Sequence, residues 1–277
     1  MKERSRYITL PEYWDELTEA DWQQLLKMRQ QVIDQRLQVT AGDVRIETAR
    51  MLLKNRGVKD QTGNPNWLKL VSDLSKTLGW LWKEQDGGLS LVYRSTGNLL
   101  PRVGEWTGPL SHGEDLTFGE FREALQHCQH YEDGQNQTAL AALAGLLYRP
   151  KATPRQQHEQ QLLRQPYDWD TLDSQIKRGR QMEPWQQWGI YAWFAYFAEY
   201  LTTGTFNIGG EEVSFAPIFE SNGRQGDSRG SLLEVGITMA ESRVFGTQKE
   251  VDHTPLLRVM LKLLMDYRSL EKLKKKH

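Results

Sequence analysis

Cysteine is almost absent from this 277-residue chain, with Cys128 as its one thiol. That excludes an internal disulfide and any zinc module built on several cysteines. Charge of one sign is missing too. The 35 Lys and Arg stand against 36 Asp and Glu, a formal net charge of −1. Such a balance argues against a protein that coats nucleic acid or an anionic membrane. There is no long hydrophobic run. The most apolar stretch, Trp185 to Leu201, covers 17 residues and is interrupted by Gln186, Gln187 and Glu199. A bilayer span needs about 20 apolar residues, so this stretch reads as a buried helix. The basic start, from Met1 to Arg6, has no apolar segment behind it and does not read as a secretory signal. The expectation is a cytoplasmic protein without a membrane span.

Aromatics and glutamine are what the chain has in quantity. It holds ten Trp and 23 Gln, although hydrophobic residues make up only 38%. That composition suits helices anchored by a few large rings, with wide uncharged polar faces. Periodicity supports helices through most of the chain. Thr18 with Asp21 is a variant capping box ahead of Trp22, Leu25, Leu26, Val32, Ile33 and Leu37. A second helix is expected from Asp43 to Asn55, with Gly57 past its end. A third follows Asn64–Pro65 and carries Trp67, Leu70, Val71, Leu74, Leu78, Leu81 and Trp82 to a break at Asp86–Gly87–Gly88. Period-2 alternation at Leu89, Leu91 and Tyr93, with turn chemistry at Ser95–Asn98, predicts a hairpin whose return strand is Leu99–Val103. Pro101 places that strand at an edge.

Residues 104–115 are rich in Gly, Pro and Ser and read as a linker. Thr117 with Glu120 is a full capping box for a helix presenting Phe118, Phe121, Leu125 and Cys128. A short apolar helix over 140–147 stops at Arg149–Pro150. The Gln-rich segment 151–165 reads either as a loop or as a solvated helix. Further helices are expected over 168–180, 184–203, 231–245 and 255–275, with a second hairpin over 206–215. The loop 221–230 has no apolar residue. The fold class is therefore mainly α, a multi-helix bundle with one or two small β-hairpins. The division expected is an N-terminal module over 1–105 and a C-terminal module over 116–277 built around the aromatic helix 184–203.

No motif supplies an active site. His127, Cys128 and His130 have the residue types of a zinc site, with His112, Glu114 and Asp115 nearby in sequence. On a helix, His127 points about 100° away from Cys128, so these ligands do not converge. The plain reading is solvated histidines beside a core cysteine. Ser174 and Lys177 match a bare S-x-x-K without its companion motifs. Gly209–Gly210 lacks a phosphate-loop frame and reads as a hairpin turn. No metal or cofactor is expected. The aromatic helix carries the sharper expectation. Trp185, Trp188, Tyr191, Trp193, Tyr196 and Tyr200 surround much of it, and a helix apolar all round must be covered on most sides. Either it is the centre of a bundle, or part of it is a groove for a partner's apolar segment, since Trp and Tyr dominate interface anchors. Arg224 and Arg229 in the polar loop offer a contact for an anionic partner.

Residues 8–18, Ile-Thr-Leu-Pro-Glu-Tyr-Trp-Asp-Glu-Leu-Thr, followed by Trp22–Leu25, resemble the opening of tailed-phage tail or baseplate assembly proteins. Leu146–Pro150 and Phe215–Phe219 are similar to parts of phage or prophage proteins. The resemblance covers 15–25 residues and brings no catalytic residue. It implies a non-enzymatic assembly or chaperone role with another protein, such as a tail or baseplate component, as partner. Two other readings stay open. One is a metal-dependent enzyme with a site near 112–130. The other is a nucleic-acid accessory protein using Arg178, Arg180, Arg224, Arg229 and the C-terminal lysines, which the net charge disfavours.

Overall fold

The computed structural model describes residues 8–34, 40–85, 88–160, 162–167, 172–220 and 247–274. Among them are eleven α-helices and seven short strands, all in antiparallel pairs. The protein is mainly α with small β-hairpins, as the periodicity predicts. Arg224, Arg229 and the helix expected over 231–245 lie outside the described residues.

The chain divides into two compact units, Met1–Ser95 with Pro184–Gln186, and Thr96–Glu183 with Gln187–His277. The stretch 104–115, read above as a linker, lies inside the second unit. Local bonds hold it there. The Asn98 amide donates to the Pro109 carbonyl at 2.8 Å, and the His112 N–H donates to the Thr96 carbonyl at 2.7 Å. Gly108 lies so close to the Tyr148 ring that a Cβ there would collide with it.

The first unit contains α1 (Glu19–Asp34), α2 (Ala41–Asn55), α3 (Pro65–Ser75), β1 (Trp82–Gln85) and β2 (Gly88–Leu91). Helix α1 starts at the expected cap and α3 at the expected Asn64–Pro65 turn, whereas α2 starts at Ala41, two residues before the expected Asp43, because Thr40 caps it. Thr18 and Asp21 exchange backbone-to-side-chain bonds at 3.0 and 3.1 Å, Thr40 and Asp43 do the same, and Asn64 caps α3 ahead of Pro65. Each cap satisfies N–H groups that a helix start otherwise leaves open. Asp21 also takes Asn55 at 2.8 Å and pairs with Arg56 at 3.3 Å, tying α1 to the end of α2. The core is aromatic. Trp14 packs edge-on to Trp22 and Trp80, each at 5.3 Å, and Tyr93 lies against both Trp14 and Trp22. Trp82 is fully buried and donates its indole N–H to Thr48 at 3.0 Å.

Two expectations fail here. The third helix ends at Ser75, passes through a 3-10 turn over Lys76–Trp80, and Trp82 begins a strand. The hairpin forms between β1 and β2, pairing Trp82 with Leu91, and not between 89–93 and 99–103. In sequence, Gln85 and Gly88, which pair as the last and first residues of the two strands, flank an Asp-Gly dipeptide of the kind that hairpin sequences favour. This register puts Trp82 and Leu91 on one buried face.

The second unit contains a three-stranded sheet in the order β3 (Arg102–Val103), β4 (Trp106–Thr107), β5 (Arg149–Pro150). Its helices are α4 (Phe118–Gly134), α5 (Gln137–Leu147), α6 (Pro154–Gln160), α7 (Leu172–Gly179), most of α8 (Pro184–Thr203), α9 (Ala216–Glu220), α10 (Gln248–His253) and α11 (Leu256–Lys274). After α8 comes the second hairpin, β6 (Thr205–Ile208) with β7 (Glu211–Ser214), turning at Gly209 and Gly210, both at positive φ. The polar segment after Pro150 resolves into α6 as a solvated helix. Helices α5 and α7 cross with almost no side chain between them. A Cβ on Gly145 would strike the Gln175 carbonyl, and one on Gly179 would strike the Ala141 carbonyl.

The Thr117–Glu120 capping box opens α4 as expected, with Glu120 accepting from the Thr117 N–H at 2.8 Å. Glu120 then does more than cap. It is 1% exposed, ion-paired with Arg149 and Arg164, and Arg164 pairs in turn with Asp115 at 3.1 Å. Burial drives the Glu120 carboxyl up, but Arg164, Arg149 and the Thr117 N–H outweigh it and hold it below the usual carboxylate range. Burial pulls Arg149 down to about 10, still cationic at neutral pH.

Candidate functional site

Helix α8 starts at Pro184, whose missing N–H costs nothing at a first helical turn. Its sequence is apolar on every side, yet the structure separates the faces within the second unit. Ile190, Trp193, Phe194, Phe197, Ala198 and Leu201 are buried. Phe194 and Phe197 pack on Phe121 of α4 at 5.6 and 6.0 Å. Trp188, Tyr191, Tyr196 and Tyr200 are half-buried and lie along the other side, with Glu199 exposed beside them.

The six aromatic residues expected to bind a partner therefore differ in place. Trp193 is 2% exposed, stacks on Phe197 at 5.7 Å and donates its indole N–H to the Thr96 carbonyl at 3.1 Å. It belongs to the core and offers no surface. Tyr191 packs edge-on to Tyr131 at 4.8 Å and donates to Glu132 at 2.9 Å. Burial and the adjacent Glu132 push its hydroxyl far above the ordinary tyrosine range, so it stays protonated as a donor. Tyr200 donates to the Thr205 carbonyl at 2.7 Å and packs on Phe206. Trp188 and Tyr196 lie half-buried beside Tyr191 and Tyr200, at ring distances of 6.4 and 6.0 Å. Trp185 groups with the first unit, where the Lys27 ammonium sits 5.0 Å over its ring.

The residues gathered near 112–130 are dispersed. His112 adopts a left-handed backbone at φ 61° and meets Thr96 through Nδ1 at 2.6 Å. Asp115 pairs with Arg164 and caps the Leu110 N–H. Glu114 and His130 are exposed, and His127 lies 3.7 Å from Glu123. Cys128 is completely buried and donates toward Glu132 at 3.7 Å. Among the described residues, no three of His, Cys, Asp and Glu are grouped as metal ligands. Three of the basic residues named for nucleic acid are engaged. Arg178 donates twice to the Gly145 carbonyl, Arg180 reaches Thr138 at 3.4 Å, and Lys274 pairs with Glu271. No described helix is long and apolar enough to cross a membrane.

Arg149 and Arg164 are the cations at the centre of the second unit. In sequence Arg149 reads only as the stop of the apolar run 139–148, and Arg164 has no local sign in its polar segment. Against this geometry, no protein-family model matches the chain, and neither a curated protein nor a solved structure does.

Proposed function

We propose that the protein works by holding a partner protein, as an assembly chaperone or structural accessory of a phage-like particle, without chemistry of its own. The observation that supports this reading best is the outward side of α8. There Trp188, Tyr196 and Tyr200 keep part of each ring in water, while their inward neighbours are buried. Half-exposed Trp and Tyr bring large apolar area and a polar tip at little entropic cost, which is why they anchor interfaces. An apolar segment of a partner laid along this side would complete their burial. The use of Asp115, Glu120, Arg164 and Tyr191 in structural contacts supports the same reading. The phage-like context rests on the resemblance of residues 8–18, and it makes tail or baseplate components the first partners to try.

The test is photo-crosslinking. A benzophenone side chain at position 188 is introduced in the full chain, co-expressed with the products of neighbouring genes. The expected result is one discrete crosslinked partner, lost when Tyr196→Ala is added and melting is unchanged. Crosslinks spread over many proteins, or retained in the Tyr196→Ala chain, would overturn the reading.

A further inference from the structure

A groove of about 360 Å3 lies between α1 and α2 of the first unit, bounded at one side by Trp67 of α3. The two helices run antiparallel, since Asp21 meets Asn55 while Met28 meets Thr48. Each turns one stripe to the groove. On α1 this is Gln24, Lys27, Met28 and Gln31, and on α2 it is Glu47, Arg50, Met51 and Lys54. Both stripes follow i, i+3, i+4, i+7, the spacing with which a helix face receives another helix. Each has a methionine at its middle, with Lys27 beside Met28 and with Arg50 and Lys54 beside Met51. Asn55 donates to the Met51 sulfur at 3.4 Å, and the Met28 sulfur lies 3.4 Å from the Thr48 hydroxyl, which itself donates to the Val44 carbonyl at 2.7 Å.

The charges around the groove are unevenly committed. Asp60 accepts from the Trp67 indole and from Thr62, each at 2.8 Å, and is held below the usual carboxylate range first by the Thr62 bond. Glu47 pairs with Arg50 at 3.4 Å. Both carboxylates of the groove are therefore engaged. Among the described residues, Lys54 has no carboxylate partner, Lys27 lies over the Trp185 ring and likewise has no carboxylate, and the buried Nε of Arg50 has no acceptor. Three cations ring an apolar floor that has room for a side chain.

We propose that this groove receives an acidic amphipathic helix of a partner protein. An apolar residue would sit between Met28 and Met51 against Trp67, and carboxylates would reach Lys27, Arg50 and Lys54. Methionine adapts to varied apolar shapes, and a helix laid in a groove presents anchors at the matching spacing. This inference is independent of the α8 reading, because it rests on residues of the first unit alone.

Fluorescence anisotropy on the full chain tests it. The probe is a labelled synthetic helical peptide of about 15 residues, with Leu and Ala on one face and Glu on the other. A second peptide carries Lys in place of every Glu. The acidic peptide is expected to bind saturably and to weaken as salt rises. Lys27→Glu combined with Lys54→Glu is expected to weaken it at least about tenfold. Both lysines are exposed, so the fold survives, and an unchanged melting curve confirms that. The lysine peptide is expected not to bind, and Trp188→Ala to leave the affinity unchanged. No saturable binding, equal binding of the two peptides, or full affinity in the double variant would overturn the proposal. Capture of anionic vesicles without capture of the acidic peptide would overturn it in favour of a membrane surface.

Discussion

Glu120 and Arg164 meet at 3.2 Å although 44 residues separate them, and their side chains are 1% and 3% exposed. Around that contact the second unit joins the start of α4, strand β5 through Arg149, and the segment after α6. A buried charge left without its partner costs about 3–5 kcal/mol. Glu120→Gln is therefore expected to lower unfolding free energy by roughly that amount, measured in urea. The pH dependence has a definite sign. The folded Glu120 is more acidic than the unfolded one, so its contribution is full above the ordinary glutamate range and is lost as pH falls through the folded value. Glu120→Gln should flatten that acid limb, and an unchanged limb would refute the assignment.

Asp252 behaves in the opposite way. Burial raises its carboxyl above the usual range, and Arg122 at 3.2 Å offsets this only in part. A folded value above the unfolded one means that ionisation opposes folding, so stability is gained as pH falls through the raised value. Asp252→Asn should cost less than about 1 kcal/mol at neutral pH and should remove this gain. A loss as large as that of Glu120→Gln would show that the Arg122 pair is a main support of α10.

Gly145→Ala tests the crossing of α5 and α7. The added methyl would meet the Gln175 carbonyl, which is backbone and cannot swing away. Overpacking of this kind costs about 1–3 kcal/mol or more. The expected melting loss should be matched by Gly179→Ala, which strikes the Ala141 carbonyl across the same antiparallel crossing. By contrast Gly134→Ala meets nothing within 4 Å and should be nearly neutral.

What the sequence disclosed was whatever lay within one turn of chain. Thr18 with Asp21 and Thr117 with Glu120 are i, i+3 pairs, and the caps of α1 and α4 follow from them; Thr40 with Asp43 has the same spacing, yet the apolar pattern places the start of α2 at Asp43, two residues late. Apolar spacing likewise exposes α11 and the cysteine side of α4. The misplaced hairpin came from taking Asp86–Gly87–Gly88 as the end of a helix, when Gln85 and Gly88 pair as strand residues. The Glu120–Arg149–Arg164 group stayed hidden because its members are distant in sequence and look like solvated charges one by one. Helix α8 is a third case. Trp188 and Trp193 are the same residue on a helix apolar all round, so no periodicity says which one faces inward.

Truncating those two tryptophans separates core from surface. Trp193→Ala removes a ring that is 2% exposed and a bond to the Thr96 carbonyl, and should cost about 3–5 kcal/mol. Trp188→Ala removes a half-buried ring and should cost at most about 1 kcal/mol. Chemical denaturation of both variants checks the ordering. If the two losses were equal, the outward side of α8 would be as integral to the unit as the inward side, and the partner surface proposed there would have no basis.

Cys128 gives the second unit a reporter of its own opening. Its sulfur is fully buried on the apolar side of α4, it carries the chain's only thiol, and its neighbour Glu132 is shared with Tyr191 of α8. A thiol reagent can reach it only when α4 and α8 separate or the unit unfolds. Labelling of the native protein should therefore be far slower than in denaturant, by about tenfold for each 1.4 kcal/mol of opening free energy. Tyr191→Phe removes one hydrogen bond from Glu132 while keeping the ring on Tyr131, so it should speed labelling while changing global stability by only about 0.5–1.5 kcal/mol. If labelling instead changed only in step with global unfolding across Tyr191→Phe, Glu120→Gln and Gly145→Ala, α4 and α8 would not open as a separate element, and the second unit would behave as one cooperative block.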